Sequence, residues 1–151
     1  MSRVQLALRV SNLTASIDFY TKLFGTPPAK ERPGYANFAI TEPPLKLVLI
    51  EGQPGEDTRM DHLGIEVETT EEVTAASSRL ADQGLPTATE EDTACCYALQ
   101  DKVWVTGPGQ EPWEVYTVKG DATTLARQEG SACCTAAVSE VVPTAQGTAC
   151  C

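Results

Sequence analysis

Two adjacent thiols and a nearby carboxylate are the residues of this chain best suited to chemistry. Cys95 and Cys96 lie just before one predicted strand, and Glu114 lies inside the next, about twenty residues later. Neighbouring cysteines hold their sulfur atoms close enough to bind one thiophilic atom together, and a glutamate on a strand can ligate a hard or borderline metal ion. This spacing indicates a site in which a soft ligand is delivered to a metal.

The six cysteines fall into three adjacent pairs, which are Cys95–Cys96, Cys133–Cys134 and Cys150–Cys151. A disulfide between sequence neighbours is strained, because their Cα atoms are only about 3.8 Å apart, so we expect thiols, as in a reducing cytosol. Two interpretations of the first pair stay open. The residues are small buried hydrophobic side chains, or they condense with a trivalent arsenical, R–As(OH)₂, with loss of two waters. The two later pairs, which we call the accessory thiols, have the pattern of scavenging or hand-over sites, or they are a chance feature.

Composition limits the classes of function. A chain of 151 residues is normally one domain. Its net charge of −10 and its pI near 4.5 argue against binding to nucleic acid or to anionic membranes, since no Lys/Arg cluster could neutralise phosphates. The N-terminus has no apolar signal region and no run approaches the length of a membrane span. These features predict a cytoplasmic protein.

An internal repeat organises the chain. The segment Asp61–Val67 can be laid on Val4–Val10 without a gap, and His62 then falls on Gln5. Each segment is followed by a helical pattern and three further strands, so the sequence predicts an α+β fold of two βαβββ modules at about 3–52 and 59–119. Two such modules are expected to bury their apolar sheet faces together. The domain would span 1–119, and residues 120–151, rich in Ala, Thr and Ser, predict a flexible tail.

The predicted elements position the candidate residues. The first helix, over 13–25, would present one apolar face made of Leu13, Ile17, Tyr20, Leu23 and Phe24. The second begins at Thr69/Thr70 and presents an apolar stripe made of Val73, Ala76, Leu80 and Ala81. Beyond the two leading strands, further strands are predicted over 35–40, 45–51, 86–91, 97–106 and 113–119, and the segment 26–32 is interpreted as a short stretch interrupted by prolines.

Equivalent positions in the two leading strands bring Gln5 and His62 side by side, and the closing strand can add Glu114. An amide oxygen, an imidazole nitrogen and a carboxylate on one face of a six-coordinate metal leave about three positions open. The alternative is that His62 is a hydrogen-bonded structural residue. Lys102 has two interpretations: a pair with the acidic surface, or a place on a loop over the site. Tyr97 and Trp113 are candidate walls of a substrate pocket.

The two modules, with Gln5, His62 and Glu114 in these places, resemble the vicinal oxygen chelate superfamily, which includes glyoxalase I, bleomycin-resistance proteins and extradiol dioxygenases. Within it, Thr93–Val105 and Pro112–Tyr116 resemble the organoarsenical carbon–arsenic lyases. This resemblance spans residues 3–119, and it implies a half-barrel cavity. It further implies a non-haem Fe(II)-dependent dioxygenase that uses O₂ to cleave trivalent organoarsenicals such as methylarsenite, releasing arsenite and an oxidised organic fragment.

Carried over residue by residue, the resemblance implies that Cys95 and Cys96 bind arsenic and that His62 and Glu114 ligate iron. Gln5 stands where most relatives have histidine, and its side-chain oxygen is the expected third ligand. Sheets of this kind pair within a chain or between chains, so a homodimer is left open.

Two other functions remain. A metal-free domain that sequesters arsenic or cadmium would need Cys95 and Cys96 but neither His62 nor Glu114. A glyoxalase-like enzyme with Ni or Zn is disfavoured, because it gives the thiols no purpose.

Overall fold

The computed structural model describes residues 1–125, so the accessory thiols lie outside the described part of the chain. Strands and helices follow each other as β1 (Arg3–Val10), α1 (Leu13–Phe24), β2 (Lys30–Arg32), β3 (Tyr35–Ile40), β4 (Leu45–Glu51), β5 (Arg59–Glu66), α2 (Thr70–Asp82), β6 (Thr87–Cys95), β7 (Ala98–Thr106) and β8 (Pro112–Asp121). The order of strand, helix and three strands occurs twice, which confirms the predicted α+β fold with two βαβββ modules.

Some boundaries differ from the sequence prediction. The proline-interrupted segment before β3 ends in the short strand β2, which lies at the edge of the sheet formed by residues 1–125 and pairs with β3. Strand β6 continues four residues beyond its predicted end at Glu91, because an irregular pairing with β7 lets it run on to Cys95. Strand β8 reaches Asp121. Cys95 therefore closes one strand, and the thiol pair does not simply precede the next one.

All eight strands form one curled sheet in the order β2-β3-β4-β1-β5-β8-β7-β6. Within each module the first strand pairs in parallel with the last, as β1 does with β4 and β5 with β8. The two modules meet through the antiparallel pair β1 and β5. The leading strands of the repeat thus lie side by side at the centre of the sheet.

The register of β1 on β5 obeys an approximate twofold symmetry. Leu6 lies opposite Leu63, Gln5 opposite Gly64 and Ala7 opposite His62. Because the repeat makes Gln5 equivalent to His62 and Ala7 equivalent to Gly64, each of the last two pairs is the image of the other about an axis at Leu6 and Leu63. Side chains alternate between the two faces of a strand, so Gln5, Ala7 and His62 share the concave face.

Each helix covers its own module on the convex face. Helix α1 begins at the N-cap Asn12, whose side chain accepts from the Ala15 amide, and its Leu13, Ile17, Tyr20 and Phe24 pack on the core of the first module. The predicted face was wrong at Leu23, which is 59% exposed, because the face is centred on the other four side chains. Neither helix in the described residues is long and apolar enough to cross a membrane.

Helix α2 begins at a complete capping box between Thr69 and Glu72. Its Val73, Ala76 and Leu80 are buried, and they pack with Val103 and Val115 into a separate core. The predicted stripe was wrong at Ala81, which is exposed. The two modules therefore have distinct apolar cores outside the sheet.

Two irregularities in pairing flank the middle of β7. The register with β6 shifts between Glu90 and Thr93, and the register with β8 shifts between Leu99 and Gln100. The buried Asp101 joins both, since it accepts from the Asp92 amide at 2.8 Å and pairs with the Lys119 ammonium at 3.1 Å. β-Bulges beside a site re-aim its side chains. Asp101 thus fixes the middle of β7. The residues on either side of it, Gln100 and Lys102, point to the opposite face of the sheet, where they line the cavity.

We predict that Asp101→Asn lowers the free energy of unfolding by about 1–3 kcal/mol, because the buried carboxylate would lose its charge and with it the charge-assisted bonds from the Lys119 ammonium and the Asp92 amide. Burial alone would raise the pKa of Asp101, but bonds from Thr70, the Asp92 amide and Lys119 outweigh it and lower that pKa. A carboxyl whose pKa is lower in the folded state stabilises above its unfolded pKa, and loses this effect as pH falls through the folded one. Chemical denaturation should show the difference between variant and parent shrinking in acid. Exposed Asp82→Asn is the control, and an equal effect there would contradict the assignment.

Candidate functional site

A cavity of about 640 Å³, counted to its open mouth, lies on the concave face where the two modules meet. Its lining includes Cys95 and Cys96 at one end, and Gln5, His62 and Glu114 at the other. The structure therefore brings the predicted thiol pair and the predicted donor trio to one enclosed space.

The thiols lie at the hairpin between β6 and β7, where Cys95 is the last residue of β6 and pairs with Ala98, and Cys96 is the first residue of the two-residue loop. Cys96 and Tyr97 at the tip have φ values of 54° and 59°. Positive φ at both central positions is the geometry of a type I′ turn, which normally takes Asn or Gly and is strained for other residues. The Cys95 and Cys96 sulfur atoms lie 3.2 Å apart and form no disulfide. The strained turn sets both sulfurs at the cavity wall.

Backbone contacts from after β8 hold this turn. The Cys96 amide donates to the Leu125 carbonyl at 3.2 Å, the Tyr97 amide donates to the Thr124 carbonyl at 2.9 Å, and the Ala122 amide donates back to the Tyr97 carbonyl at 3.1 Å. The described residues after β8, 122–125, thus form a strap against the thiol turn. Such surrounding contacts are what allows strained backbone to persist.

Two predicted pocket walls were wrong. Tyr97 does not line the cavity, because its ring packs on Tyr35 and its hydroxyl donates to the Pro33 carbonyl at 3.0 Å. Trp113 precedes Glu114 on β8, so strand alternation turns it to the convex face. The aromatic walls are instead Tyr35 and Trp104.

One face of β7 forms a continuous wall of the cavity, made of Ala98, Gln100, Lys102 and Trp104. The period of two in this segment was visible in the sequence and could have identified Gln100 and Trp104. The expectation that Lys102 lies on a loop or at the acidic surface was wrong, since Lys102 is in the middle of β7 and 3% exposed. Its ammonium pairs with Glu114 at 2.7 Å.

Gln5, His62 and Glu114 converge within hydrogen-bond reach of one another, and all three are buried. Gln5 Nε2 lies 3.0 Å from His62 Nε2 and donates to Glu114 Oε1 at 2.8 Å. His62 Nε2 is 3.4 Å from the same carboxylate oxygen. The position related to Glu114 by the repeat is Val48, which pairs with Ala7 as Glu114 pairs with Gly64. The first module therefore supplies Gln5 but no second carboxylate.

Gly64 makes room for the trio. A Cβ at this position would lie 3.2 Å from both Gln5 Nε2 and Tyr116 Cε1. Contacts this short are rare for real Cβ atoms, so the missing side chain lets β1 and β8 approach across β5.

The donor set fits a divalent metal ion. No group of three His, Cys, Asp or Glu side chains within residues 1–125 is arranged to hold one, so a metal held here by His62 and Glu114 would need the Gln5 amide as its third protein ligand. The Asp61 carboxylate lies 2.7 Å from His62 Nδ1. A carboxylate on one imidazole nitrogen leaves the other to face the metal, as in carboxylate–histidine–metal arrangements.

Charges in the site are strongly coupled. Burial alone would lower the pKa of His62, but the hydrogen bonds and charges of Asp61 and Glu114 outweigh it and raise this pKa to about 9. Burial would raise the pKa of Glu114, yet Lys102 and His62 hold it far below its usual range. Burial would lower the pKa of Lys102, but Glu114 and then the thiols raise it. The site thus holds an ionised carboxylate against a permanent ammonium.

Comparison with known proteins places the chain among relatives of the same architecture. A family model described as Glyoxalase/Bleomycin resistance protein/Dioxygenase superfamily matches residues 3–115. A "Trivalent organoarsenical cleaving enzyme" from Thermomonospora curvata is 68% identical over 151 residues, 100% of both chains. A "Cadmium-induced protein CadI" from Mycobacterium tuberculosis is 58% identical over 125 residues, 83% of this chain and 82% of that protein.

Solved structures show the same fold. An extradiol ring-cleaving dioxygenase from B. fuscum superposes with a TM-score of 0.57 at 21% identity, over 80% of this chain and 34% of that one. At this identity the likeness concerns the fold alone.

We predict that a divalent cation displaces a proton from His62. Since this pKa is about 9 and a ligating imidazole must be neutral, the apparent association constant should rise about tenfold per pH unit between about pH 7 and 8. Calorimetry with Mn(II), a redox-stable probe, measures it. In Asp61→Asn, which keeps an acceptor at Nδ1 but removes its charge, the rise should level off at lower pH. A flat profile in the parent protein would contradict the proton release.

Proposed function

The chain belongs to the glyoxalase/bleomycin resistance protein/dioxygenase superfamily, and from this premise we propose that it is an enzyme that cleaves the carbon–arsenic bond of trivalent organoarsenicals. The observation that supports this most directly is one cavity lined by the thiols Cys95 and Cys96 and by the trio Gln5, His62 and Glu114. The 68% identical relative named for organoarsenical cleavage supports it further.

The thiol turn is the proposed arsenic-binding end. A trivalent arsenical R–As(OH)₂ exchanges its two hydroxyl groups for the Cys95 and Cys96 sulfurs, releases two waters and keeps its organic group R. Thiolates are soft ligands and suit As(III). The buried Lys102 ammonium lines the same cavity as the thiols, and a nearby cation stabilises a thiolate.

Gln5, His62 and Glu114 are the proposed ligands of a ferrous ion. Such an ion would supply the one-electron chemistry that dioxygen needs in order to react with a closed-shell substrate. Three protein ligands leave positions free for exogenous groups, as in the facial triads of non-haem iron oxygenases. For methylarsenite the overall reaction balances as CH₃As(OH)₂ + O₂ → As(OH)₃ + HCHO.

The protein contributes chiefly by positioning. Cys95 lies opposite Ala98 at one end of the β7 wall, and Lys102 on the same wall holds Glu114 at 2.7 Å. Ala98 and Lys102 are four residues apart, about 13 Å along a strand, so the arsenic would be held near one end of this wall and its organic group would occupy the part of the cavity that leads to the trio. Holding reactants in this way can lower a barrier by several kcal/mol, on the order of 7–11 at best.

Sequestration of arsenic or cadmium is the rival function, since the thiol pair alone would bind either element. It needs no metal trio and predicts no product. The two functions therefore separate on variants at opposite ends of the cavity.

We predict that Cys95→Ser abolishes binding of phenylarsenite but keeps Mn(II) binding. His62→Ala should keep arsenical binding but abolish release of arsenite in the presence of Fe(II) and O₂. Intrinsic tryptophan fluorescence measures arsenical binding, because Trp104 lines the cavity, and arsenic speciation by chromatography measures cleavage. Arsenite release by Cys95→Ser would contradict the assigned thiol role. A wild-type protein that binds arsenicals without releasing arsenite would leave sequestration as the function.

Gln100 offers the bound molecule a hydrogen-bond acceptor. Gln100 is 5% exposed, lines the cavity, and its Oε1 is buried without a hydrogen-bond partner in the described residues. The terminal torsion of glutamine is soft, so the amide can turn towards a donor on the organic group of the arsenical.

We therefore predict that the protein binds 4-aminophenylarsenite more tightly than 4-methylphenylarsenite, which has the same size but no donor, by roughly 2- to 12-fold. Gln100→Met should remove this preference and leave affinity for the methyl compound nearly unchanged. Competition titrations measure both ratios. A preference that persists in Gln100→Met would rule out this residue as its source.

A further inference from the structure

A buried chain of polar groups lies behind Gln5, on the side away from Glu114. The Tyr116 hydroxyl is 2.5 Å from Gln5 Oε1 and 2.8 Å from Glu66 Oε2. Glu66 is also bound by the Lys46 ammonium at 2.8 Å and by the Arg3 guanidinium at 2.8 Å. The Tyr116 side chain is fully buried. Gln5 is therefore contacted by His62 and Glu114 at one end of its amide and by Tyr116 at the other.

The Tyr116 hydroxyl has one proton fewer than its two short contacts require. A tyrosine hydroxyl has one proton to donate, but both Gln5 Oε1 and Glu66 Oε2 are acceptors within its reach. Glu66 accepts only, because Lys46, Tyr116 and Arg3 outweigh the effect of burial and lower its pKa. In the structure the shorter of the two contacts is the one to Gln5 Oε1, but a charged acceptor such as Glu66 forms the stronger hydrogen bond by roughly a factor of two. When the Tyr116 proton is donated to Glu66, Gln5 Oε1 faces an oxygen lone pair.

Turning the Gln5 amide by half a rotation resolves this. Its Nε2 would then donate to the Tyr116 oxygen while Tyr116 donates to Glu66, so that each proton is used once. At the other end Gln5 Oε1 would take the place of Nε2, which is 2.8 Å from Glu114 Oε1 and 3.0 Å from His62 Nε2. Two oxygens facing each other at this distance need a proton or a metal ion between them. A metal at the trio supplies that cation, and the amide oxygen is also the atom that can ligate it.

We propose that Tyr116, backed by Glu66, is a positioning residue that accepts the Gln5 amide proton and so turns the carbonyl oxygen of Gln5 towards the metal site. Without metal, the Gln5 amide nitrogen donates to Glu114. Tyr116 serves both states, because its hydroxyl can donate to Gln5 or accept from it. This inference rests on the metal site of the proposed function, and it explains how an amide can stand at a ligand position.

The test is a double-mutant cycle of Tyr116→Phe and Gln5→Ala, with Mn(II) affinity measured by calorimetry in the absence of arsenical. Removing an outer partner of a metal ligand typically costs 10- to 100-fold in metal affinity, and we expect a loss of about this size for Tyr116→Phe. In the Gln5→Ala background the same change should have an effect within about twofold, since its target is gone. An undiminished loss in that background, or no loss in the parent, would overturn the inference.

Two further variants control the experiment. Tyr97→Phe also removes a tyrosine hydroxyl, but one beside the thiol turn that donates to the Pro33 carbonyl. This variant should leave Mn(II) affinity unchanged. Glu66→Gln keeps the shape of the side chain but lets the Tyr116 proton return to Gln5 Oε1, so it should also weaken Mn(II) binding. It replaces Tyr116→Phe if circular dichroism shows that variant to be unfolded, and normal Mn(II) binding by folded Glu66→Gln would overturn the inference.

Failure of the proposed function gives a different result. If the wild-type protein and Gln5→Ala bind Mn(II) equally weakly while phenylarsenite binding is intact, the metal site itself is wrong and the inference falls with it. If Gln5→Ala weakens Mn(II) binding but Tyr116→Phe does not, the metal site stands and only the positioning role is wrong.

Discussion

The register between β1 and β5 is the constraint on which the site depends. Because side chains alternate along a strand, a slip of one residue would move Gln5 or His62 to the opposite face of the sheet. The pairing of Leu6 with Leu63 places Gln5 and His62 on the concave face as diagonal neighbours. The parallel pairing of β5 with β8 then brings Glu114 beside Gly64. A site made by three strands from two modules thus follows from one pair of registers.

A buried carboxylate is kept ionised at the centre of this arrangement. Glu114 is 2% exposed, and a buried charge without partners is costly. Lys102 on one side and the Gln5 amide on the other compensate for it. The imidazole is in turn oriented by Asp61, which also binds Arg9 at 2.5 Å. Electrostatic pairs extend from the cavity to the rim of the sheet, and they fix the directions of the donors more tightly than apolar packing could.

Sequence patterns were sufficient for the modules and for the placement of Gln5 beside His62, because both follow from periodicity and from the gap-free match of the two leading strands. They were insufficient wherever the third dimension decides. The direction of Trp113 followed from strand alternation once β8 was placed, but the roles of Gln100 and Trp104 depend on which face of β7 meets the cavity. The hydrogen bond between Tyr116 and Glu66 behind Gln5 joins residues that are 50 positions apart, and no local sequence pattern predicts such a contact. The strained turn at Cys96 and Tyr97 was missed for a related reason, since these residue types do not favour it.

The separate cores of the two modules have a consequence for how the molecule can diversify. Helix α1 and its core support a wall that carries Tyr35, Asn37 and Val48 but only one member of the trio. Mutational drift in that wall can reshape the space open to guest molecules while α2 and its own core preserve the opposite half. Most of the wall open to a guest molecule and most of the proposed metal ligands are therefore supported by different cores.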